Sequence, residues 1–350
     1  MTDLNVARLA GKPIKVIKYP ITVPPIKDAG PHGGREFESP SGRFEVYGEV
    51  LKKYLAFGGS TSVLGFPVGD ETGCPDGVGR FQHFQGGSIY WTPSTGAHVV
   101  YGAIRDRWAA IGWERSYLGY PLTDETDFDG GRMNQFQGGQ IYWWSDSGAI
   151  DLHEVVLHYT GMICWHESDH DQSSNSDEPY AIFGVISPDS TAVAHTRVYD
   201  DVDTGESMPD LLELYRGKPG GLVVTTTMWE NDFGSPDQYV PSIKKAIDDA
   251  AKEAEPYLSK IPYVGPIFAA VLPFVSKVSG AIAKGLGQLL GLQDDPAGHA
   301  EIAFTPKQMI VTSAREQNRS IEGIGYKAST GRITHDGGYS YEVYFGLVPA

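Results

Sequence analysis

"LGFPVGDETGCPDGVGRFQHFQGGSIYW" occupies Leu64–Trp91, and "LGYPLTDETDFDGGRMNQFQGGQIYW" occupies Leu118–Trp143, 54 residues further on. Tyr47-Gly48 aligns with Tyr101-Gly102, Leu64-Gly65-Phe66-Pro67 with Leu118-Gly119-Tyr120-Pro121, and Asp70-Glu71-Thr72 with Asp124-Glu125-Thr126. The shift then falls to 52, because the loop Cys74–Arg80 is longer than Phe128–Arg132. Phe84-Gln85-Gly86-Gly87 aligns with Phe136-Gln137-Gly138-Gly139, and Ile89-Tyr90-Trp91 with Ile141-Tyr142-Trp143. Self-similarity at a period of about 50 residues marks a small module written twice.

Each copy has the same local grammar. An amphipathic helix is expected over VYGEVLKKYLAFGG and again over VYGAIRDRWAAIGW, with Gly at the exit. A tight Leu-Gly-aromatic-Pro turn and an acidic loop follow. Two short strands, RFQHF and GSIYW in the first copy, then meet through a Gly-Gly turn. A unit this small does not hold itself together, so the copies are expected to pack on one another. Tyr90, Trp91, Tyr142, Trp143 and Trp144 offer flat faces for sugar rings, with Gln85 and Gln137 as hydrogen-bonding amides. The competing reading is that these aromatics fill the core of the module. Adjacent strand residues face opposite ways, so one of Trp143 and Trp144 is expected outward, and Trp144 is the choice.

The recurring LGFP/LGYP, GDE/TDE, FQGG and IYW resemble the LGFP repeat of actinobacterial surface proteins over about residues 44–151. That resemblance implies attachment to the cell envelope, to peptidoglycan or arabinogalactan, and implies no catalysis. It divides the chain into an arm (1–43), two repeats (44–97 and 98–151) and a C-terminal domain (152–350). The arm, rich in Pro and Gly, reads as an extended linker. The opening MTDLNVARLAGKPIKV lacks the apolar core of a signal peptide. This leaves a cytosolic protein, an unconventional export route or a trimmed leader, and the resemblance favours a secreted or surface location.

Charge is uneven. Residues 1–150 hold 16 Asp/Glu against 14 Lys/Arg, hence −2, and residues 151–350 hold 28 against 14, hence −14. Such a field repels phosphate backbones and argues against a nucleic-acid partner. Cys74 and Cys164 fall in different candidate domains; pairing is open, and two thiols do not make a zinc site.

From Leu152 the pattern changes. HEVVLHYTGMICW, YAIFGVIS, AVAHTRVY, GLVVTTTMWE, EIAFT and YSYEVYFGLV read as strands of an antiparallel β-sandwich, interrupted by a helical hairpin over 241–292. The fold class expected is therefore α+β multidomain: a two-copy repeat module followed by that sandwich. His153 and His158 are five apart in a strand, so no zincin helix is read here. Acidic loops gather Glu167, Asp177, Glu178, Glu230, Asp232, Asp294 and Asp295, an oxygen-rich set suited to Ca²⁺ if the loops meet at one end. The arrangement loosely resembles a C2-type calcium-binding sandwich. Solvated loop acids, and a transition-metal site using His166 and His170, are the alternatives.

The uncharged run 261–276 carries Pro262, Pro266 and Pro273, which argues against a spanning helix. Residues 261–292 are either a packed hairpin or a membrane-contacting element. No G-x-S-x-G, P-loop, G-x-G-x-x-G or C-x-x-C occurs. Three functions remain: a non-catalytic envelope- or glycan-binding protein with a calcium-binding sandwich, a membrane-active effector or toxin, and a hydrolase of envelope or extracellular polymer.

Overall fold

The computed structural model describes residues 31–167, 178–231, 235–245, 247–249, 295–316, 318–334 and 338–350. They build mainly antiparallel sheets with few helices. In chain order the first part holds β1 (Arg35–Ser39), β2 (Gly42–Val46), α1 (Gly48–Ala56), β3 (Thr72–Gly73), β4 (Arg80–His83), β5 (Gly87–Thr92) and β6 (Gly96–Tyr101). The second copy follows as α2 (Gly102–Ile111), β7 (Thr126–Phe128), β8 (Gly131–Phe136), β9 (Gly139–Trp144) and β10 (Gly148–Leu152). Each copy forms one four-stranded sheet in sequential order.

The Leu-Gly-aromatic-Pro stretch is a turn that needs its glycine. Gly65 and Gly119 lie at φ +66° and +65°, where an L side chain is strained. A Cβ there would also sit 2.5 Å from Gln85 Oε1 or 2.6 Å from Gln137 Oε1.

Packing follows the period of two along each strand. In the first sheet Ile89 and Val99 meet Val50 and Tyr54 of α1. The next residues, Tyr90 and Val100, meet Ile104 and Trp108 of α2. In the second sheet Ile141 joins that α2 cluster, while Tyr142 and Trp144 join the core of the C-terminal body. The layers therefore alternate as helix, sheet, helix, sheet, each covering the face left by the one before.

The stretch read as an extended arm is folded from Arg35 onward. β1 pairs with β2 from Ser39↔Gly42 to Arg35↔Val46, as β5 pairs with β6 from Thr92↔Gly96 to Ser88↔Val100. The residues match too: Gly33-Gly34, Ser39-Pro40-Ser41-Gly42 and Val46-Tyr47-Gly48 stand where Gly86-Gly87, Thr92–Gly96 and Val100-Tyr101-Gly102 stand. A Cβ on Gly34 would lie 2.5 Å from Tyr47 Cβ, and one on Gly87 2.8 Å from Tyr101 Cβ. Residues 32–47 are thus the second hairpin of a third, partial copy. Phe37 and Val46 pack on the α1 cluster. Glu36 and Glu45 take the places of Ile89 and Val99, so this first described layer carries acids where the inner sheets carry apolar side chains.

Only His153 and Glu154 separate β10 from β11 (Val155–His166). Then come β12 (Pro179–Ile186), β13 (Thr191–His195), β14 (Ser207–Gly217), β15 (Leu222–Glu230), β16 (Asp295–Phe304), α3 (Pro306–Ala314), β17 (Arg319–Ile321), β18 (Ile324–Tyr326), β19 (Ala328–Thr334) and β20 (Ser340–Pro349). Two antiparallel sheets, in orders β14-β11-β20-β19 and β13-β12-β15-β16, face each other. Leu157, Tyr159 and Phe345 from one meet Phe183, Val185 and Val224 from the other. On the outer face of the second sheet, Ile243 and Ile247 of the helical residues 240–245 and 247–249 pack on Tyr180, Ile182 and Trp229. The apolar run 261–276 lies outside the described residues. Among those described, no helix is long and apolar enough to cross a membrane. Cys74 and Cys164 are both buried, and no disulfide joins them.

Candidate functional site

The residues expected to form an aromatic platform are mostly taken up in packing. Tyr90, Tyr142 and Trp144 are buried, and Trp91 and Trp143 are partly covered by the clusters around α1 and α2. Trp144, expected outward, is only 2% exposed. Its ring stacks on Tyr142, its Nε1 donates to Asp129 O at 3.0 Å, and Lys307 Nζ lies 5.6 Å from the ring centre. The alternation of Trp143 and Trp144 is as expected, but the sheet has no open face: α2 covers one side and the sandwich with α3 the other. Gln85 and Gln137 are exposed, yet each spends its amide oxygen on the turn, accepting Phe66 N–H or Tyr120 N–H at 3.0 Å.

The other repeated polar residues tie one copy to the next. Glu71 pairs with Arg80, whose guanidinium donates to Tyr47 Oη at 2.7 Å. Glu125 pairs with Arg132 at 2.7 Å, with Tyr101 in the equivalent place. Buried Gln82 donates to Glu45 O and Gly69 O, and buried Asn134 to Val99 O and Thr123 O. Asp124 accepts from Lys53 Nζ and Val99 N–H, both at 2.9 Å. Most of the shared sequence pattern is therefore architecture.

At one end of the sandwich, Glu167 follows β11, Glu178 precedes β12, and Glu230 closes β15 opposite Asp295. Glu178 N–H donates to a Glu230 carboxylate oxygen, and Thr204 Oγ1 to Glu167 Oε1 at 3.3 Å. Asp177, Asp232, Asp294 and His170 lie outside the described residues. Among those described, no three of His, Cys, Asp and Glu come together as a metal would require.

Both copies present to solvent a pair of apolar residues bracketing the turn. Val63 and Val68 are 55% and 36% exposed, and their counterparts Tyr117 and Leu122 are 55% and 37% exposed. The exposed Gln85 and Gln137 sit beside them, since Gly86 abuts Val63 O and Gly138 abuts Tyr117 O. Next to the second turn opens a cleft of about 750 Å³, lined by Arg107, Tyr117, Gly138, Asp151, His153 and residues from the end of β20. Asp151 accepts from Arg107 Nε at 2.5 Å and from Tyr117 Oη at 2.8 Å. Burial, and then the bond to Asp151, raises the affinity of Tyr117 for its proton. An aromatic face beside a carboxylate–guanidinium pair suits a polyhydroxylated ring.

The chain carries two LGFP repeats. The LGFP repeat family matches residues 64–116 and 118–159. No curated protein matches the chain. LGFP repeats are associated with cell-envelope proteins.

The limits of the two matches fit the layering. The first LGFP repeat, 64–116, runs from the turn through the sheet and then α2, the helix that covers that sheet. The second, 118–159, runs from the turn through the sheet into β11. Where a third helix would follow, the sandwich and α3 cover the LGFP sheet instead. Tyr117 was not among the residues singled out from sequence. Its signal was its place immediately before LGYP, the position held by Val63 in the first LGFP repeat.

Proposed function

We propose that the protein is a non-catalytic attachment protein of the cell envelope, secreted or held at the cell surface. It grips a wall glycan, peptidoglycan or arabinogalactan, through the exposed turns of its LGFP repeats and the cleft beside the second. The observation that carries this reading is the recurrence of an exposed apolar pair and an exposed amide at both turns. Apolar side chains rest on the C–H face of a sugar ring, and amide, carboxylate and guanidinium read its hydroxyls. Two turns on one rigid stack add modest avidity along a polymer. Full-length protein is expected to be retained on purified wall material. Tyr117→Ala is expected to reduce retention severalfold with an unchanged melting temperature, because Tyr117 is exposed. Retention equal to wild type in a Tyr117→Ala/Val63→Ser variant rejects the turn faces as the contact.

The sandwich is proposed to hold Ca²⁺ at its acidic end. Glu167 Oε2 and Asn231 Oδ1 are buried there without a hydrogen-bond partner among the described residues, which favours a cation as the missing partner. A cation bound only by the folded state adds about 2.7 kcal/mol at a hundredfold excess over its dissociation constant. Melting should move up by several degrees in millimolar Ca²⁺ and return with chelator; coincident curves reject the site.

A further inference from the structure

Beyond the attachment reading, and independent of it, a second pocket of about 390 Å³ lies where α3 ends and the β17–β18 hairpin begins. Arg315, Arg319 and Lys327 line it with Tyr326, Asn318 and Thr312, and Glu316 is its one acid. Arg319 is registered opposite Tyr326, so the hairpin holds guanidinium and phenol side by side. Arg315 is the residue that ends α3. These three cations converge within a C-terminal part whose net charge is −14 (28 Asp/Glu against 14 Lys/Arg).

Elsewhere in the chain the arginines Arg80, Arg107, Arg132 and Arg216 each hold a carboxylate. Among the described residues, Arg315 and Arg319 form no ion pair. Lys327 Nζ donates to Ser313 O at 2.8 Å and so caps the carbonyl end of α3. It is half-buried, and burial lowers its affinity for the proton. The cluster therefore has donors in excess of its one acid, Glu316. Three cations against one Glu leave a local charge of about +2, which a dianion balances. Guanidinium forks match oxyanions bidentately, and Thr312 and Asn318 add neutral donors. The volume exceeds that of a bare phosphate, and the Tyr326 ring provides a wall for whatever bears the phosphate.

We infer that this pocket binds a phosphate monoester through Arg315, Arg319 and Lys327. The test is calorimetric titration of the full chain with inorganic phosphate and with glycerol 3-phosphate, against sodium chloride of matched ionic strength and against dimethyl phosphate. Both dianions are expected to bind, and the singly charged diester about tenfold more weakly. Arg315→Gln/Arg319→Gln should weaken phosphate binding by at least about tenfold while its melting temperature without ligand stays that of wild type, since both side chains are exposed. Lys327 is left intact because it caps α3. Binding unchanged in the double variant, or heats no larger than those of matched chloride, would overturn the site. A diester bound as tightly as the monoester would overturn the monoester assignment.

Discussion

Asp124 shows how much one repeated residue does. From sequence it belongs to an acidic loop; in the structure it joins the first copy to the second. Lys53 reaches it from α1, Val99 N–H from β6, and the His98 ring stands 3.6 Å away. Burial works against its charge, but His98, Lys53 and Val99 together outweigh burial and hold the carboxyl at about 2. Its affinity for the proton is thus lower folded than unfolded. The stabilisation is present above about pH 4, the unfolded range for a carboxyl, and is lost as pH falls through about 2. Melting temperature is expected to decline over that window. Asp124→Asn should melt lower than wild type at pH 7 and close the gap by pH 2. Other carboxyls that are also lowered, Glu45, Asp76, Asp146, Glu213 and Asp237, contribute to the slope that remains. A constant gap between the two curves from pH 7 to pH 2 would show that Asp124 is not the coupled group. Gln85 and Gln137 teach the converse lesson. Their type suggested sugar recognition; in addition each amide oxygen accepts from the turn, a use that only the three-dimensional proximity of Phe66 and Tyr120 reveals.

Among the elements, those with a clear local period were legible and those shaped by their surroundings were not. α2 is announced by Ile104 and Trp108 four apart and by Gly112 at its exit, which takes up φ +109°. The hairpins are announced by Gly-Gly between alternating runs. β14 was missed because SMPDLLELYRG has no clean alternation: it lies at a sheet edge, where Leu211 is exposed and only Met208 and Leu214 are buried. α3 was legible and overlooked. Thr305-Pro306-Lys307-Gln308 is a capping box with Pro at the first helical turn, and both reciprocal bonds are present. The partial copy at 32–47 was missed for a different reason. Its strands carry Glu36 and Glu45 where the inner sheets carry Ile89 and Val99, so the near-continuous apolar run of a strand buried on both faces is broken.

At the scale of the molecule, the repeats and the sandwich share one core. Phe128, Tyr142, Trp144 and Leu152 of the second sheet belong to the same cluster as Leu157, Phe183, Met309 and Phe345. Lys307 fastens the junction from outside, its backbone N–H on Asp129 at 2.8 Å and its Nζ on Asp146 at 2.7 Å. A stack of this kind is stable as a sum of layers and the interfaces between them. Here the last interface is as apolar as a domain interior, so the two parts are expected to unfold together. Urea denaturation followed by tryptophan fluorescence and by far-ultraviolet circular dichroism should give one coincident transition. Trp144→Ala removes a buried indole, which costs about 3–5 kcal/mol. It should do more than lower the midpoint: with the shared core opened, the repeats and the sandwich should separate into two transitions. A fragment ending at Leu152 would expose Tyr142 and Trp144 to water and is expected to aggregate or remain unfolded, so attachment is properly measured on the full chain. Two transitions already in wild type, or a fragment 31–152 that melts cooperatively by itself, would show that the repeats need only one another, and that the sandwich is a neighbour of the stack instead of its final layer.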